Sequence, residues 1–121
     1  MRKKLRVRNI SRGEVMLADQ ADIADTSEKR RQGLLKHTEL KEGEGLWITP
    51  CEAVHTFFMK FAIDVVYLDK QKKVVKVREN MGLWRISGSL SARSVLELPA
   101  GTCARTGTRA GDQLEFVKYE A

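Results

Sequence analysis

The sequence predicts an α+β fold, mainly antiparallel β, in which about eight short strands form a barrel-like curved sheet against one main helix. Short segments rich in Val, Ile and Phe recur along the chain, and turn residues separate them. Only one segment, at about residues 26–37, combines a start signal with helical length. The 121 residues fit a single domain, residues 1–121, with no Pro-rich or Gly/Ser-rich linker.

The chain begins with strand patterns. Residues 4–9 alternate Leu5 and Val7 with basic residues, which predicts an edge strand with a basic outer face. Residues 15–18 and 21–24 follow as two further short strands.

The main helix has a clear start. Asp25 and Thr26 precede Glu28 in the form of a capping box, so the helix is expected to run over about residues 26–37. Gly33 within it costs about 1 kcal/mol relative to alanine. This glycine is most easily explained if the helix packs its backbone closely against a sheet.

The central segment is the most apolar part of the chain. Residues 46–49 predict a strand that ends at Pro50, because proline cannot donate to a strand ladder. Strands are then expected at about residues 53–59 and 63–69, joined as a hairpin across residues 60–62.

The last third contains shorter elements. Residues 73–78 alternate valine with basic residues and predict a strand, and residues 79–92 predict a long loop. Residues 94–98 and 113–119 predict two strands, and residues 102–106 predict a single helical turn.

Charge and composition exclude some classes of protein. The net charge is +6, but five of the 22 basic residues lie within residues 2–8, which leaves 17 basic against 16 acidic residues elsewhere. This local charge argues against nucleic acid as a partner, since nucleic-acid binding usually uses a broad basic surface. No segment reaches the roughly 18 apolar residues of a membrane span, and no apolar region follows the basic N-terminus. A cytoplasmic protein is expected, with Cys51 and Cys103 as free thiols.

Four motifs occur in order over about residues 15–118. They are Thr26 with Arg30 and Gly33-Leu34; Gly45-Leu46-Trp47; Phe58-Met59-Lys60 with Ile63-Asp64-Val65; and Val95-Leu96-Glu97-Leu98-Pro99-Ala100-Gly101 with Gly111-Asp112. These motifs resemble the bacterial and archaeal family called domain of unknown function 192. Leu35 stands where the family usually has Met, and His37 stands where Arg is common. The resemblance implies a compact β-rich domain with a helix, and it implies no established activity.

Asp64 is the first candidate for a functional residue. It shares a strand face with Val66 and Leu68, and a buried carboxylate must be paired or hydrogen-bonded. Lys60, across the expected hairpin, and Arg30, on the helix, are the candidate partners. Asp64 is then either a structural clamp or a carboxylate that faces a pocket.

Glu97 is a second acid within an apolar strand. If Glu97 points inward near Asp64, the two carboxylates could form an acid/base pair, because like charges at close range raise one pKa. A weak hydrolase hypothesis therefore names Asp64, Glu97 and His55 as catalytic. The alternative for His55 is a core or rim residue, since it shares a face with Phe57 and Met59.

Each of the other candidate residues also has a possible structural role. Met59 belongs to an apolar cluster that forms either core or the floor of a pocket, and Trp84 is either a binding contact on a loop or a packed side chain. Cys51 and His55 would lie about 13 Å apart on a strand, too far for one metal ion. No metal and no cofactor are predicted.

The sequence favours a small non-catalytic binding domain for a small molecule or a protein partner, with no oligomeric state indicated. The site is expected between the start of the helix, residues 55–64 and residues 79–93. A small hydrolase with paired carboxylates, and binding of nucleic acid or an acidic surface by the N-terminal strand, are the alternatives. The candidate binding residues are Arg30, Thr56, Met59, Lys60, Asp64, Trp84 and Glu97.

Overall fold

A seven-stranded, mostly antiparallel sheet dominates the computed structural model, which describes residues 2–121. The strands are β1 (Lys3–Asn9), β2 (Val15–Ala24), β3 (Glu44–Ile48), β4 (Ala53–His55), β5 (Ile63–Leu68), β6 (Val74–Met81), β7 (Ile86–Gly88), β8 (Ser94–Pro99) and β9 (Leu114–Glu120). The α-helices are α1 (Ser27–Gln32) and α2 (Thr102–Thr106), and Ile10–Arg12 forms a 3-10 turn.

The strand order of the large sheet is β6-β5-β8-β3-β2-β1-β9, while β4 and β7 form a separate two-stranded ribbon. Among the strands of the described residues, β2 and β3 form the single parallel pair. The sheet curves until its two edges meet at one corner, where the Val74 amide donates to the Asp112 carbonyl (2.8 Å) and the Leu114 amide donates to the Lys72 carbonyl (3.1 Å). Because no continuous ladder of hydrogen bonds joins β6 to β9, the sheet is curved and not closed into a barrel. The predicted fold class is confirmed.

The curved sheet separates two apolar clusters. The first, here the inner core, draws side chains from both edges of the sheet and from α2. Its larger members are Leu5, Val7, Leu17, Trp47, Val66, Leu68, Val74, Leu96, Leu98, Cys103 and Leu114. The second, here the outer core, lies on the other face under α1 and the β4–β7 ribbon. Its larger members are Leu34, Leu46, Ile48, Val54, Met59, Ile63, Val65, Tyr67, Met81 and Val95.

The N-terminal strand is not at an edge, contrary to expectation. β1 pairs with β2 on one side and with β9 on the other, so the edges are β6 and β9. Lys4 is paired with Asp22, and Arg8 is paired with Glu115. The basic face is therefore partly neutralised by acids of the neighbouring strands, a long-range pairing that local alternation does not reveal. The two short strands expected at residues 15–24 are one continuous strand, β2.

The main helix starts as predicted and is shorter than expected. The Thr26 hydroxyl accepts a hydrogen bond from the Lys29 amide (3.2 Å) and caps α1. The helix ends at Gln32 because Gly33 adopts φ 49°, ψ −129°, outside helical geometry. The predicted reason for this glycine is wrong: a Cβ there would approach only the Arg30 carbonyl, at 3.8 Å, so backbone conformation and not close packing requires it.

The expected hairpin of residues 53–59 with 63–69 does not form. β4 pairs with β7, whereas β5 pairs with β6 and β8. The reason lies at Thr56, whose hydroxyl donates to the Gly82 carbonyl (2.6 Å) and accepts from the Arg85 amide (3.0 Å). These bonds attach the end of β4 to the segment expected to be a loop, which contains the end of β6 and the whole of β7.

Asp64 lies on the inner-core face of the sheet and connects three elements. Its side chain is fully buried, and its two carboxylate oxygens accept hydrogen bonds from the Asn80 amide and the Cys103 amide, both at 2.8 Å. The predicted partners Lys60 and Arg30 do not contact it: Lys60 is exposed, and Arg30 donates to groups near its own helix. Asp64 thus fastens β5 to the end of β6 and to the start of α2.

Replacing Asp64 by Asn should lower the free energy of unfolding by about 2 kcal/mol, because an amide side chain offers only one acceptor oxygen to two backbone donors. Lys60→Ala should change it by less than about 0.5 kcal/mol. The measurement is urea denaturation of both single variants and the double variant. A coupling energy above about 1 kcal/mol between the two positions would show that Lys60 does bind Asp64 and would contradict this assignment.

Candidate functional site

A cavity of about 610 Å³ lies on the outer-core face of the sheet, between α1 and β4. Its walls are mainly apolar, formed by side chains of the outer core and of the segment that follows α1. The lining residues are Ser27, Arg30, Arg31, Gln32, Gly33, Leu34, Leu35, Ile48, Pro50, Cys51, Ala53, Val54, His55, Met59 and Glu97. An apolar cavity with a few polar groups is the usual form of a small-molecule site.

Glu97 is the only acid among these lining residues of the described chain. It lies on β8 opposite Leu46 of β3 and Val65 of β5, so its neighbours on that face are apolar. Its side chain is 4% exposed, and within residues 2–121 its carboxyl has no hydrogen-bond or ion-pair partner. Burial raises the pKa of Glu97 from 4.5 to about 7, so at neutral pH this carboxyl readily gains or loses a proton.

The mouth of the cavity is cationic. Arg30 and Arg31 come from consecutive positions of α1, and both line the opening. The Arg30 guanidinium donates to the Asp25 carbonyl (3.4 Å) and to the Ser27 hydroxyl (3.3 Å), and both are long contacts. Neither arginine forms an ion pair with any residue of the 2–121 range, so both charges are free for a ligand.

Cys51 and Tyr67 lie close to Glu97 but are poor reactive groups. Burial raises the pKa of the Cys51 thiol, whose sulfur donates to the Ala53 carbonyl at 3.1 Å. Burial also raises the pKa of the Tyr67 phenol. The hydroxyls of Tyr67 and Ser87 are both buried, and neither makes a hydrogen bond of normal geometry within the described chain. A thiolate nucleophile is disfavoured here because the pKa shift is upward.

The two carboxylates of the hydrolase hypothesis do not meet. Asp64 lies opposite Leu98 in the β5–β8 ladder, and the next pair along is Val65 opposite Glu97. Because successive residues of a strand point to opposite faces, Asp64 faces the inner core while Glu97 faces the cavity. The sheet itself separates them, so the expected acid/base pair is absent.

Four of the predicted site residues line the cavity, and the other four lie outside it. Arg30, His55, Met59 and Glu97 all line it. The other four are accounted for elsewhere: Thr56 and Asp64 are buried in structural hydrogen bonds, and Lys60 and Trp84 are exposed away from the lining.

The sequence interpretation missed Arg31 and the apolar walls at Leu34 and Leu35. Arg31 could have been found, since it follows Arg30 directly on the predicted helix. Leu34 and Leu35 were assigned to a helix that in fact ends before them, so the local pattern gave no reason to place them beside a cavity.

An exposed row of rings continues from the cavity mouth. His55 stacks on Phe57 at 4.9 Å between ring centroids; Phe57 lies 5.6 Å from Trp84, and Trp84 lies 4.9 Å from Phe58. Phe58 and Trp84 are 72% and 56% exposed, and their φ angles of 65° and 59° are unusual for large residues. Exposed aromatic side chains on unfavourable backbone are typical of contact surfaces.

Residues 2–121 contain no group of three or more His, Cys, Asp or Glu side chains placed to hold a metal ion. Over the same range, none of the helices has both the length and the apolar character needed to cross a bilayer.

A curved, mostly antiparallel sheet with two short helices and an apolar cavity on one face defines a class of small β-rich domains. The family model DUF192, described as "Uncharacterized ACR", matches residues 7–116, and the chain belongs to this family. It is 34% identical over 103 residues to a UPF0127 protein of Pyrococcus abyssi, covering 79% of this chain and 85% of that protein. It is 32% identical over 101 residues to a UPF0127 protein of Thermococcus gammatolerans, covering 78% of this chain but only 65% of that protein's length.

Two solved structures share the fold. A protein described as a putative transcription regulator from Sinorhizobium meliloti superposes with a TM-score of 0.82 at 22% identity, covering 96% of this chain and 94% of that one. A protein of unknown function from Novosphingobium aromaticivorans superposes with a TM-score of 0.79 at 22% identity, covering 93% and 83%. At this identity the likeness concerns the fold alone.

The buried carboxyl of Glu97 should make stability depend on pH. The folded chain holds the Glu97 proton up to about pH 7, whereas the unfolded chain loses it near its ordinary pKa of 4.5. Because the folded state then binds more protons, the free energy of unfolding should fall by about 3 kcal/mol as pH rises across this interval. The Glu97→Gln variant should not lose stability over this interval. Denaturation curves of both proteins at pH 4.5, 6 and 7.5 measure the difference in the free energy of unfolding. Parallel pH profiles for wild type and variant would show that Glu97 titrates normally.

Proposed function

We propose that the protein is a small non-catalytic binding domain whose cavity beside α1 holds a small molecule. The observation that carries the proposal is Glu97, a buried carboxyl that faces the cavity without a partner. A partnerless buried carboxyl costs stability, and glutamine in the same place would remove much of that cost. A group retained at such a cost is more easily explained by a ligand than by the fold.

The cavity shares α1, His55 and Met59 with the region expected from the sequence, but none of residues 79–93 lines it. Residues of α1, of β4 and of the turn that follows β4 surround the opening. The walls suit an apolar ligand body because Leu34, Leu35 and Met59 contribute most of their contact surface as hydrocarbon. The row of rings from His55 to Phe58 extends this surface outward, and it offers room for a ligand larger than the cavity or for a protein partner.

A catalytic function has less support. Asp64 points to the other face of the sheet, and the Cys51 thiol has a raised pKa. His55 is the remaining candidate base, but its Nδ1 accepts a hydrogen bond from the Phe57 amide (3.3 Å), and its ring stacks on that residue. Binding is therefore the function proposed here.

Binding of nucleic acid is not proposed, although one structural neighbour is described as a putative transcription regulator. Among the N-terminal basic residues, Arg2 and Lys4 pair with Asp22, and Arg8 pairs with Glu115. Paired charges offer little to a phosphate backbone.

A cytoplasmic location is part of the proposal, because the two cysteines are free thiols and lie in different cores. Recovery of the native protein from a secreted or periplasmic fraction would contradict it.

1-Hexanol tests the cavity without assuming the natural ligand. In a titration followed by ¹H–¹⁵N NMR, shifts should concentrate at lining residues such as Leu34, Cys51 and Val54. Leu35→Trp fills the cavity from its wall and should weaken binding about tenfold or more, while Leu40→Trp alters a comparable half-buried leucine outside the lining and should leave it unchanged. Equal binding by both variants, or shifts located elsewhere, would refute the cavity as the site.

A further inference from the structure

The charges of the cavity are arranged with opposite signs at its two ends. Glu97 on β8 is buried at 4% exposure and forms the inner end, whereas on α1 Arg30 is half-buried and Arg31 is exposed, so the two arginines form the outer end. No ion pair joins Glu97 to either arginine within the described chain, so more than 4 Å separates the charged atoms. The protein does not neutralise these charges internally.

The inner end requires a hydrogen-bond donor or a cation. Glu97 has apolar neighbours in both adjacent strands, at Leu46 and Val65, and no group of residues 2–121 donates a hydrogen bond to it. An ammonium group would supply both charge and donors, since a buried carboxylate is tolerated when it is paired.

The outer end favours an anion. Two guanidinium groups without ion-pair partners attract a carboxylate or phosphate, for which arginine has matching donor geometry. The same two positive charges repel a simple cation at the opening. A simple anion inside the cavity would be repelled by the Glu97 carboxylate. A ligand with a cation at one end and an anion at the other matches both ends.

We propose that the ligand of this cavity is a small zwitterion, whose ammonium group binds Glu97 and whose carboxylate or phosphate binds Arg30 and Arg31. The connecting part is apolar, because Leu34, Ile48 and Met59 line the same cavity. The inference rests on the proposed small-molecule site and specifies the chemical class that the site takes.

The test uses a series of ω-amino acids with three to seven carbons, together with hexylamine, hexanoate and 1-hexanol. Affinities are measured at pH 8 by NMR titration or calorimetry. At least one amino acid should bind about tenfold tighter than hexylamine and hexanoate, since only the zwitterion satisfies both charged ends. If hexanol binds in the cavity and no amino acid exceeds the single-charge probes, the zwitterion inference fails while the binding site stands. If no probe binds, both fail.

Charge-removing variants assign the two ends. Glu97→Gln and the pair Arg30→Gln/Arg31→Gln should each reduce affinity for the best amino acid about tenfold or more, and should reduce affinity for the uncharged 1-hexanol by a much smaller factor. Lys29→Gln is the matched control, because Lys29 lies on the same helix but outside the lining. A loss with Lys29→Gln equal to that of the arginine variants would indicate a non-specific charge effect and would overturn the assignment.

The pH dependence supplies a second readout. The groups around Glu97 that carry or change charge are Arg30 and Arg31 on α1, Cys51 after β3, His55 on β4 and Tyr67 on β5. Affinity for the amino acid should fall as pH decreases from 8 to 6, because Glu97 then takes up a proton. His55→Gln should retain this dependence, and Glu97→Gln should abolish it. Retention of the dependence in Glu97→Gln would assign it to another group and contradict the proposal.

Discussion

The register of β5 against β8 decides how this molecule uses its two buried acids. Asp64 lies opposite Leu98, and Glu97 lies opposite Val65, in neighbouring pairs of one antiparallel ladder. Because strand side chains alternate between faces, the two acids must enter different cores. A one-residue shift of β5 against β8 would turn Asp64 to the face of Glu97 and place hydrocarbon where Asp64 now lies. The structural role of the first acid and the free carboxyl of the second both follow from this ladder.

The two acids then differ because their surroundings differ. The end of β6 and the start of α2 bring two backbone amides to Asp64, and these amides need an acceptor as much as the carboxylate needs donors. Within residues 2–121 no backbone amide donates to the Glu97 carboxyl, whose neighbours across the strands are Leu46 and Val65. The cavity lies on this face, so the acid without a protein partner and the apolar walls belong to the same site.

Membership of the DUF192 family and the shared fold agree with this picture, but neither identifies a ligand. The features that suggest binding are local to the outer-core face: an apolar cavity, a buried acid, two arginines without ion-pair partners and a row of exposed rings. These features would be expected to vary among proteins that share a sheet, since function depends on sites and not on the fold that supports them.

The sequence by itself determined the strand-rich fold class, the capped start of the helix at Thr26 and the short helix at residues 102–106, because capping, alternation and turn preferences are local properties. It also marked Asp64 and Glu97 as acids that need an explanation. Only the tertiary structure decided that β1 is internal, that β4 leaves β5 to pair with β7, and that the two acids lie on opposite faces. Those outcomes depend on which distant strands pair and in which register, and on hydrogen bonds such as that between Thr56 and Gly82, 26 residues apart. Long-range pairing is set by the burial of the whole chain, so no short segment contains the information that fixes it.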